Sequence, residues 1–185
     1  MKKYINFMIY FKMNRTEKIR EIIYEMFLQR DYTDIDTSNN ERIIAKKPNG
    51  DNICAFTNII ARLNVSEIHI HISILQKENI THGIIIFDGI PTPAVKNVIG
   101  NTPNLDLNIE LFDACDLQFN ITKHILVPTH VRLNKEEIKD FKQKYGTDIP
   151  VILRTDPISR FYDFSKGEII KIIRRNGFIS YRIVR

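Results

Sequence analysis

Between positions 19 and 27, five apolar residues fall at i, i+3, i+4, i+7 and i+8: Ile19, Ile22, Ile23, Met26 and Phe27. That spacing makes one continuous stripe on a helix of 3.6 residues per turn and makes no sense on a strand, where alternate residues share a face. A one-sided helix must lie on a core, so the chain is a folded domain and not a tether. Asn14 followed by Glu17 has the form of a capping box, which predicts a helix opening at Asn14 and ending near Arg30. Residues 1–12 then stand outside it, as a loose extension or as a segment ahead of a true start at Met13. Their M-K-K-Y-I-N-F-M-I-Y-F-K resembles a secretion leader only faintly. Asn6 and Lys12 interrupt the apolar run, and no small-residue cleavage site follows.

The rest of the chain alternates between strand and helix signals. Residues 31–40 are polar and read as loop. Arg42 to Lys46 and Asn52 to Phe56 read as strands joined around Pro48, Asn49 and Gly50. From Glu67 to Ile74 every second residue is isoleucine, which predicts a half-buried strand with His69 and His71 on its polar face. Gly83 to Phe87 is a short β-branched run, expected to be a strand buried on both faces. Thr92 and Pro93 open a helix as N-cap and first residue, with Gly100 as its stop. Leu105, Leu107, Ile109 and Leu111 alternate as a further strand.

Beyond residue 120 the pattern shortens. Asn134 and Glu137 predict a second capping box, Ile138, Phe141 and Tyr145 an apolar stripe, and Gly146 a stop. Val151 to Arg154 reads as a strand and Asp156-Pro157 as the cap of a short helix. Glu168 to Arg174 and Phe178 to Val184 read as a hairpin turning at Asn176-Gly177, with positive φ expected at both turn residues. The expected division is residues 1–120 and 121–185.

Composition narrows the function classes. The 185 residues are 43% hydrophobic and 26% charged, and the formal net charge is +5. This is ordinary for a soluble folded chain and mildly favours a polyanionic partner. No apolar run reaches the roughly 20 residues of a membrane helix, so no membrane partner is expected. Cys54 and Cys115 stand alone and read as reduced thiols.

Four blocks near the end carry a family resemblance: H-I-L-V-P-T-H-V-R-L at 124–133, L-R-T-D-P-I-S-R-F-Y at 153–162, K-G-E-I-I-K-I-I-R at 166–174 and S-Y-R-I-V at 180–184. In this order they resemble the assembly domain of RNA polymerase subunit five, a domain that the archaeal counterpart also has. Less tightly, E-M-F-L-Q-R-D-Y at 25–32, H-G-I-I-I-F at 82–87 and I-P-T-P-A-V-K at 90–96 resemble the family's N-terminal jaw region. Asp31 stands where the family carries glycine, and the proline and threonine order at 91–93 departs from the usual one. Archaeal members lack the jaw. Its presence, the short length and the tight final hairpin point to a eukaryotic or viral member, preferably from a large DNA virus.

The resemblance implies an α/β (α+β) architecture: an N-terminal jaw domain with a restriction-endonuclease-like three-layer fold, and a small C-terminal mixed α/β assembly domain. It implies a non-catalytic subunit of a multi-subunit, DNA-dependent RNA polymerase. That subunit docks on the largest subunit, touches others, and contacts downstream duplex DNA weakly and without reading sequence. The docking residues it implies are His130, Arg154, Thr155, Asp156, Pro157, Arg160, Lys166, Arg174, Tyr181 and Arg182. Location follows the source: virion and host cytoplasm for a virus, nucleus for a cellular eukaryote.

The residues also allow a chemical reading of their own. Thr92, Pro93 and Lys96 are the candidate DNA contacts, since a helix N-terminus offers free N–H groups and partial positive charge to a phosphate; an ordinary capped helix with a surface lysine reads equally well. Lys166, Lys171, Arg174 and Arg175 suit a duplex edge, a solvated anti-aggregation edge, or docking to acidic patches; the family favours docking. The alternative function is a stand-alone nuclease with a remodelled site. It would need an acidic residue on one strand and acidic-x-lysine on the next to hold magnesium. Asp88 suits the first. However, Glu137-Ile138-Lys139 and Asp140-Phe141-Lys142 fall on a helix in the other domain, so no catalytic residues, metal or cofactor are expected. His69 and His71 have zinc-compatible spacing, but Cys54, His82 and Cys115 supply no matching ligand pattern.

Overall fold

The computed structural model describes the backbone of residues 2–102, 106–146 and 148–185, and within these the side chains from Arg15 onward. The chain divides into two compact units, Met1–Phe119 and Asn120–Arg185.

The first unit opens with helix α1, Lys2–Gln29. It starts twelve residues before the expected position at Asn14. Nothing between Lys2 and Asn14 breaks a helix, because the stretch holds no proline or glycine. The Asn14–Glu17 pair is therefore an interior i, i+3 pair. The predicted stripe is the buried one: Ile19, Ile23, Met26 and Phe27 are fully buried and Ile22 nearly so.

Five strands follow: β1 Asp34–Asp36, β2 Arg42–Lys46, β3 Asn52–Ile60, β4 His82–Phe87 and β5 Asn108–Asp113. They form one sheet in sequence order. β1 and β2 run antiparallel to their next neighbours, whereas β3, β4 and β5 are mutually parallel. β1 lies in the stretch expected to be loop. It is three residues long and pairs at the edge, too short to leave a periodic signal.

The parallel half needs crossovers. Helices α2, Val65–Lys77, and α3, Pro93–Asn101, provide them. α2 replaces the strand expected over 67–74. Its alternation is deceptive: Ile68, Ile72 and Leu75, at i, i+4 and i+7, are buried, while Ile70 is 54% exposed. The helix signal lies upstream, where the Asn64 side chain accepts the Glu67 N–H at 2.9 Å. His69 and His71 consequently do not share a strand face. His71 Nδ1 meets the Glu67 carbonyl, and its ring stands edge-on to Phe56.

Both crossover helices cover one sheet face, where Cys54, Phe56, Ile85, Phe87 and Ile109 meet Leu75 and Val95. α1 packs on β2 and β3 from the other side. There Ile53, Ala55, Ile84 and Ile86 are fully buried. The result is three layers, helix, sheet and helices, in a mixed α/β unit. Gly83 shows how closely they pack: a Cβ there would lie 2.6 Å from Leu75 Cδ1. Gly100 sits inside α3, and Thr102 caps its end instead. Leu107 and Ile109 are buried as expected, while Leu105 lies outside the described residues.

The second unit is a four-stranded sheet of β6 Thr129–Arg132, β7 Val151–Ile152, β8 Ile169–Ile173 and β9 Ile179–Val184, ordered β6-β8-β9-β7. Helix α4, Lys135–Tyr145, carries the predicted capping box and ends at Gly146 with φ of 76°. It covers one face through Leu133, Phe141, Ile169 and Tyr181. Helix α5, Pro157–Tyr162, lies on the face of Ile152, Ile170, Ile172 and Val184. At the hairpin only Gly177 has positive φ, 80°. Gly177 N–H donates to the Arg174 carbonyl and Arg174 N–H to that of Phe178. The turn thus spans residues 174–177 and closes on a single left-handed glycine, so Asn176 needs no such conformation. Instead Asn176 Oδ1 accepts the Phe178 N–H at 3.1 Å.

Candidate docking and nucleic-acid surfaces

The T-D-P block forms a corner between β7 and α5. Asp156 turns its carboxylate onto the Ile158 N–H at 2.9 Å, and Pro157 takes the first helical position, where its missing N–H costs nothing. Arg154 N–H bonds the Arg185 carbonyl at 2.8 Å, tying the corner to the strand end. Thr155 and Pro157 are left exposed.

His130 and Arg182 belong to the sheet face that carries α5, since their register partners Ile172 and Ile170 point that way. Arg182 Nη1 donates to the Val151 carbonyl at 3.0 Å, and His130 Nδ1 lies 2.8 Å from that of Pro128. Burial pulls the His130 imidazole below its ordinary value, against the Pro128 bond and the charge of Asp156; Arg182 lowers it further. The imidazole, the Asp156 carboxylate and the Arg182 guanidinium therefore sit close enough to feel each other. His130, Asp156 and Arg182 form a cluster, flanked in sequence by Arg154, Thr155, Pro157 and Arg160.

The remaining docking residues lie elsewhere. Lys166 is exposed on the loop before β8, and Arg174 at the hairpin tip. Tyr181 is on the opposite sheet face, its ring 4.5 Å from that of Phe141 and stacked on Tyr145. Its position is that of a packing residue.

Arg132 is a residue that sequence reasoning missed. Its Nε donates to Glu168 at 3.0 Å, Nη2 reaches the Tyr162 and Asp163 carbonyls, and its guanidinium lies over the Phe164 ring. It fastens the end of α5 to the sheet. No local pattern announces this, because its partners lie thirty or more residues away.

In the first unit, Thr92 Oγ1 accepts the Val95 N–H at 3.4 Å, and Thr92, Pro93 and Lys96 are all exposed. Ile90, just before them, is 90% exposed. Thus the structure brings these three candidate DNA contacts together at one helix start.

The acidic positions of the same unit are already engaged. Arg15 grips Asp88 with two bonds, of 3.1 and 2.7 Å. Asp88, Asp113 and Cys115 place ligand-type atoms within 4.8 Å of one another. Asp113, however, accepts the Gly89 and Cys115 N–H groups. These carboxylates therefore serve the ends of β4 and β5. The two acidic-x-lysine triplets do lie on α4, in the other unit. An open groove of about 640 Å³ along α1, lined by Glu17, Arg20, Glu21, Tyr24, Glu25 and Thr37, is acidic on its helix side. It does not suit a phosphate backbone.

Charge divides sharply between the units. Residues 120–185 hold fourteen Lys and Arg against seven Asp and Glu, a net of +7, while residues 1–119 hold thirteen against fifteen, a net of −2. The mild excess of the whole chain is a strong excess in its smaller part.

Comparisons with known proteins agree with this division. Residues 119–184 match the family model described as RNA polymerase Rpb5, C-terminal domain. A putative DNA-directed RNA polymerase subunit of Invertebrate iridescent virus 6 is 42% identical over 113 residues, 55% of this chain and 60% of that one. The subunit of DNA-directed RNA polymerases I, II and III from Dictyostelium discoideum is 27% identical over 92% of this chain and 98% of its own. Its Caenorhabditis elegans counterpart is 31% identical over 67% of this chain and 62% of its own. The viral and nematode matches thus span less than two thirds of those relatives, and the Dictyostelium match nearly all of its relative. These relatives share one class, the subunits of DNA-directed RNA polymerase. This chain belongs to the RNA polymerase subunit five (Rpb5) family.

Proposed function

We propose that the chain works as a non-catalytic subunit of a DNA-directed RNA polymerase, docking through its second unit on the largest subunit and lending its first unit to downstream duplex DNA. The carrying observation is the coincidence of three boundaries. The family match at 119–184, the compact unit at 120–185 and the concentration of positive charge fall on the same residues. The T-D-P corner, with Thr155 and Pro157 exposed beside His130 and Arg182, is the docking patch. Its backbone is fixed internally by the Asp156 cap and the Arg154–Arg185 bond, so its exposed side chains are presented at little entropic cost. Arg154, Arg160, Lys166, Arg174 and Arg182 add charge for acidic partner surfaces.

Thr92, Pro93 and Lys96 are the DNA contact. A first unit with a net charge of −2 binds DNA weakly by itself and touches phosphates only where α3 opens toward them. The similarity to an iridescent virus protein supports a viral enzyme, acting in the virion and host cytoplasm; a cellular member acts in the nucleus.

The test is affinity purification of the tagged chain from its native source. Recovery of two large polymerase subunits in equal amounts is expected. Thr155→Arg, which alters an exposed side chain without touching the cap, is expected to abolish that recovery while leaving thermal unfolding unchanged. Recovery of the wild-type chain alone would overturn the reading. For the DNA contact, Lys96→Glu in the assembled enzyme is expected to weaken downstream DNA retention and to reduce the salt slope by about 1.

A further inference from the structure

On the face of the first sheet away from α2 and α3, α1 and the loop between β1 and β2 bound the open groove of about 640 Å³. Its helix wall carries Glu17, Glu21 and Glu25, one at every fourth residue, and the Tyr24 ring among them is 42% exposed. Its other wall is the loop at Thr37. Arg20 ties the two walls together. Its Nη2 donates to the Thr37 carbonyl at 2.8 Å, and its Nη1 to the Asn40 carbonyl at 2.9 Å and to Thr57 Oγ1 at 3.1 Å. The groove is therefore built before anything enters it, and the one cation of its lining is spent on the loop.

Three carboxylates against one guanidinium leave the lining with a net charge of −2. Glu17 and Glu21 are exposed to solvent. Residues four apart on a helix rise about 6 Å per step. Alternate side chains of an extended chain stand about 6.6 Å apart. The row of acids thus matches, in spacing and in sign, an extended segment with a cation at every second position. The Tyr24 ring adds to the match, because an aromatic face attracts the same ammonium or guanidinium groups.

We infer that this groove receives an extended segment of another protein, with lysine or arginine at alternate positions. The inference goes beyond the subunit reading and does not depend on it. Nucleic acid has the wrong sign for the groove. A bare polyamine carries the charge but has no side chains to fill the volume between the walls. Because Arg20 already fixes the loop wall on α1, little ordering of the groove opposes binding. The Thr92–Lys96 helix start lies on the opposite side of the sheet. The first unit thus keeps its face for a basic protein segment apart from its candidate DNA contact.

The test uses synthetic peptides and the full chain. The chain holds no tryptophan, so one tryptophan in a peptide reports binding alone. The peptide Lys-Thr-Lys-Trp-Lys-Thr-Lys has the alternating pattern; Lys-Lys-Lys-Lys-Trp-Thr-Thr has the same composition and charge without it. The alternating peptide is expected to bind about tenfold more tightly than its isomer. Glu17→Lys with Glu21→Lys, both at exposed sites, is expected to weaken it by about tenfold or more, with the thermal midpoint unchanged. Tyr24→Ala is expected to weaken it severalfold, and spermine at equal concentration is expected not to displace it. Equal affinity of the two isomers overturns the inference, as does a charge-reversed chain that binds like the wild type. Displacement by spermine would make the groove a polyamine site and overturn it too, and so would no saturable signal up to about 1 mM peptide.

Discussion

Arg30 and Glu110 meet through two parallel hydrogen bonds of 2.7 and 3.0 Å, although eighty residues separate them. The guanidinium is 3% exposed, and His82 Nε2 lies 2.7 Å from the same carboxylate. Burial alone would raise the Glu110 carboxyl; the charge of Arg30 and the bonds from His82 and Arg30 outweigh it and hold the group at about 2. Since this lies below the ordinary 4.5, the pair contributes fully above pH 4.5 and its contribution is lost as pH falls toward 2. Urea titrations across that interval are expected to show the loss in the wild type and not in Glu110→Gln. Glu110→Ala, which strands a buried guanidinium, is expected to cost about 3–5 kcal/mol at neutral pH.

Gly83 is where α2 comes down on the sheet. Gly83→Val is expected to push Leu75 from its site and cost about 1–3 kcal/mol. Adding Leu75→Ala should be less than additive, because the cavity it opens receives the new side chain. A double-mutant cycle by chemical denaturation reads the coupling.

Ser159 lies inside the block that carries the family resemblance, yet its Oγ is buried without a hydrogen-bond partner among the described residues. A hydroxyl in that position gives the fold nothing. Ser159→Ala is expected to be neutral or stabilising by up to about 1 kcal/mol, with recovery of the polymerase unchanged. A loss of recovery at constant stability would instead assign the hydroxyl to a partner.

Tyr181 separates packing from docking. Tyr181→Phe keeps the ring between Phe141 and Tyr145 and is expected to leave thermal unfolding within a degree or two of wild type. Tyr181→Ala removes it and is expected to cost about 3 kcal/mol. If polymerase recovery falls only with the alanine variant, the residue acts through the fold. A loss with phenylalanine would show that its hydroxyl reaches a partner.

Much of the architecture was legible where one physical signal acted alone. The 19–27 stripe, the Thr92-Pro93 start and the Asn134–Glu137 box are each local and each hold. The 67–74 stretch misled because isoleucine at every second position also fills i and i+4 of a helix, and the Asn64 cap decides between them. Helix α1 ran long because no breaker follows Lys2. For the site, the T-D-P corner was visible as a motif. The Arg132 clamp and the Arg30–Glu110 pair were not, since each joins residues that only the tertiary fold brings together.

The strand order β6-β8-β9-β7 places at the centre of the small sheet the two of its four strands that are synthesised after the outer pair. β6 and β7 have no neighbour to pair with until β8 and β9 emerge. Val184 is fully buried, and Arg185 N–H bonds the Ile152 carbonyl. Nascent chains stalled before position 179 should therefore present this region as an open, protease-sensitive polymer that closes in one step once β9 is available to pair.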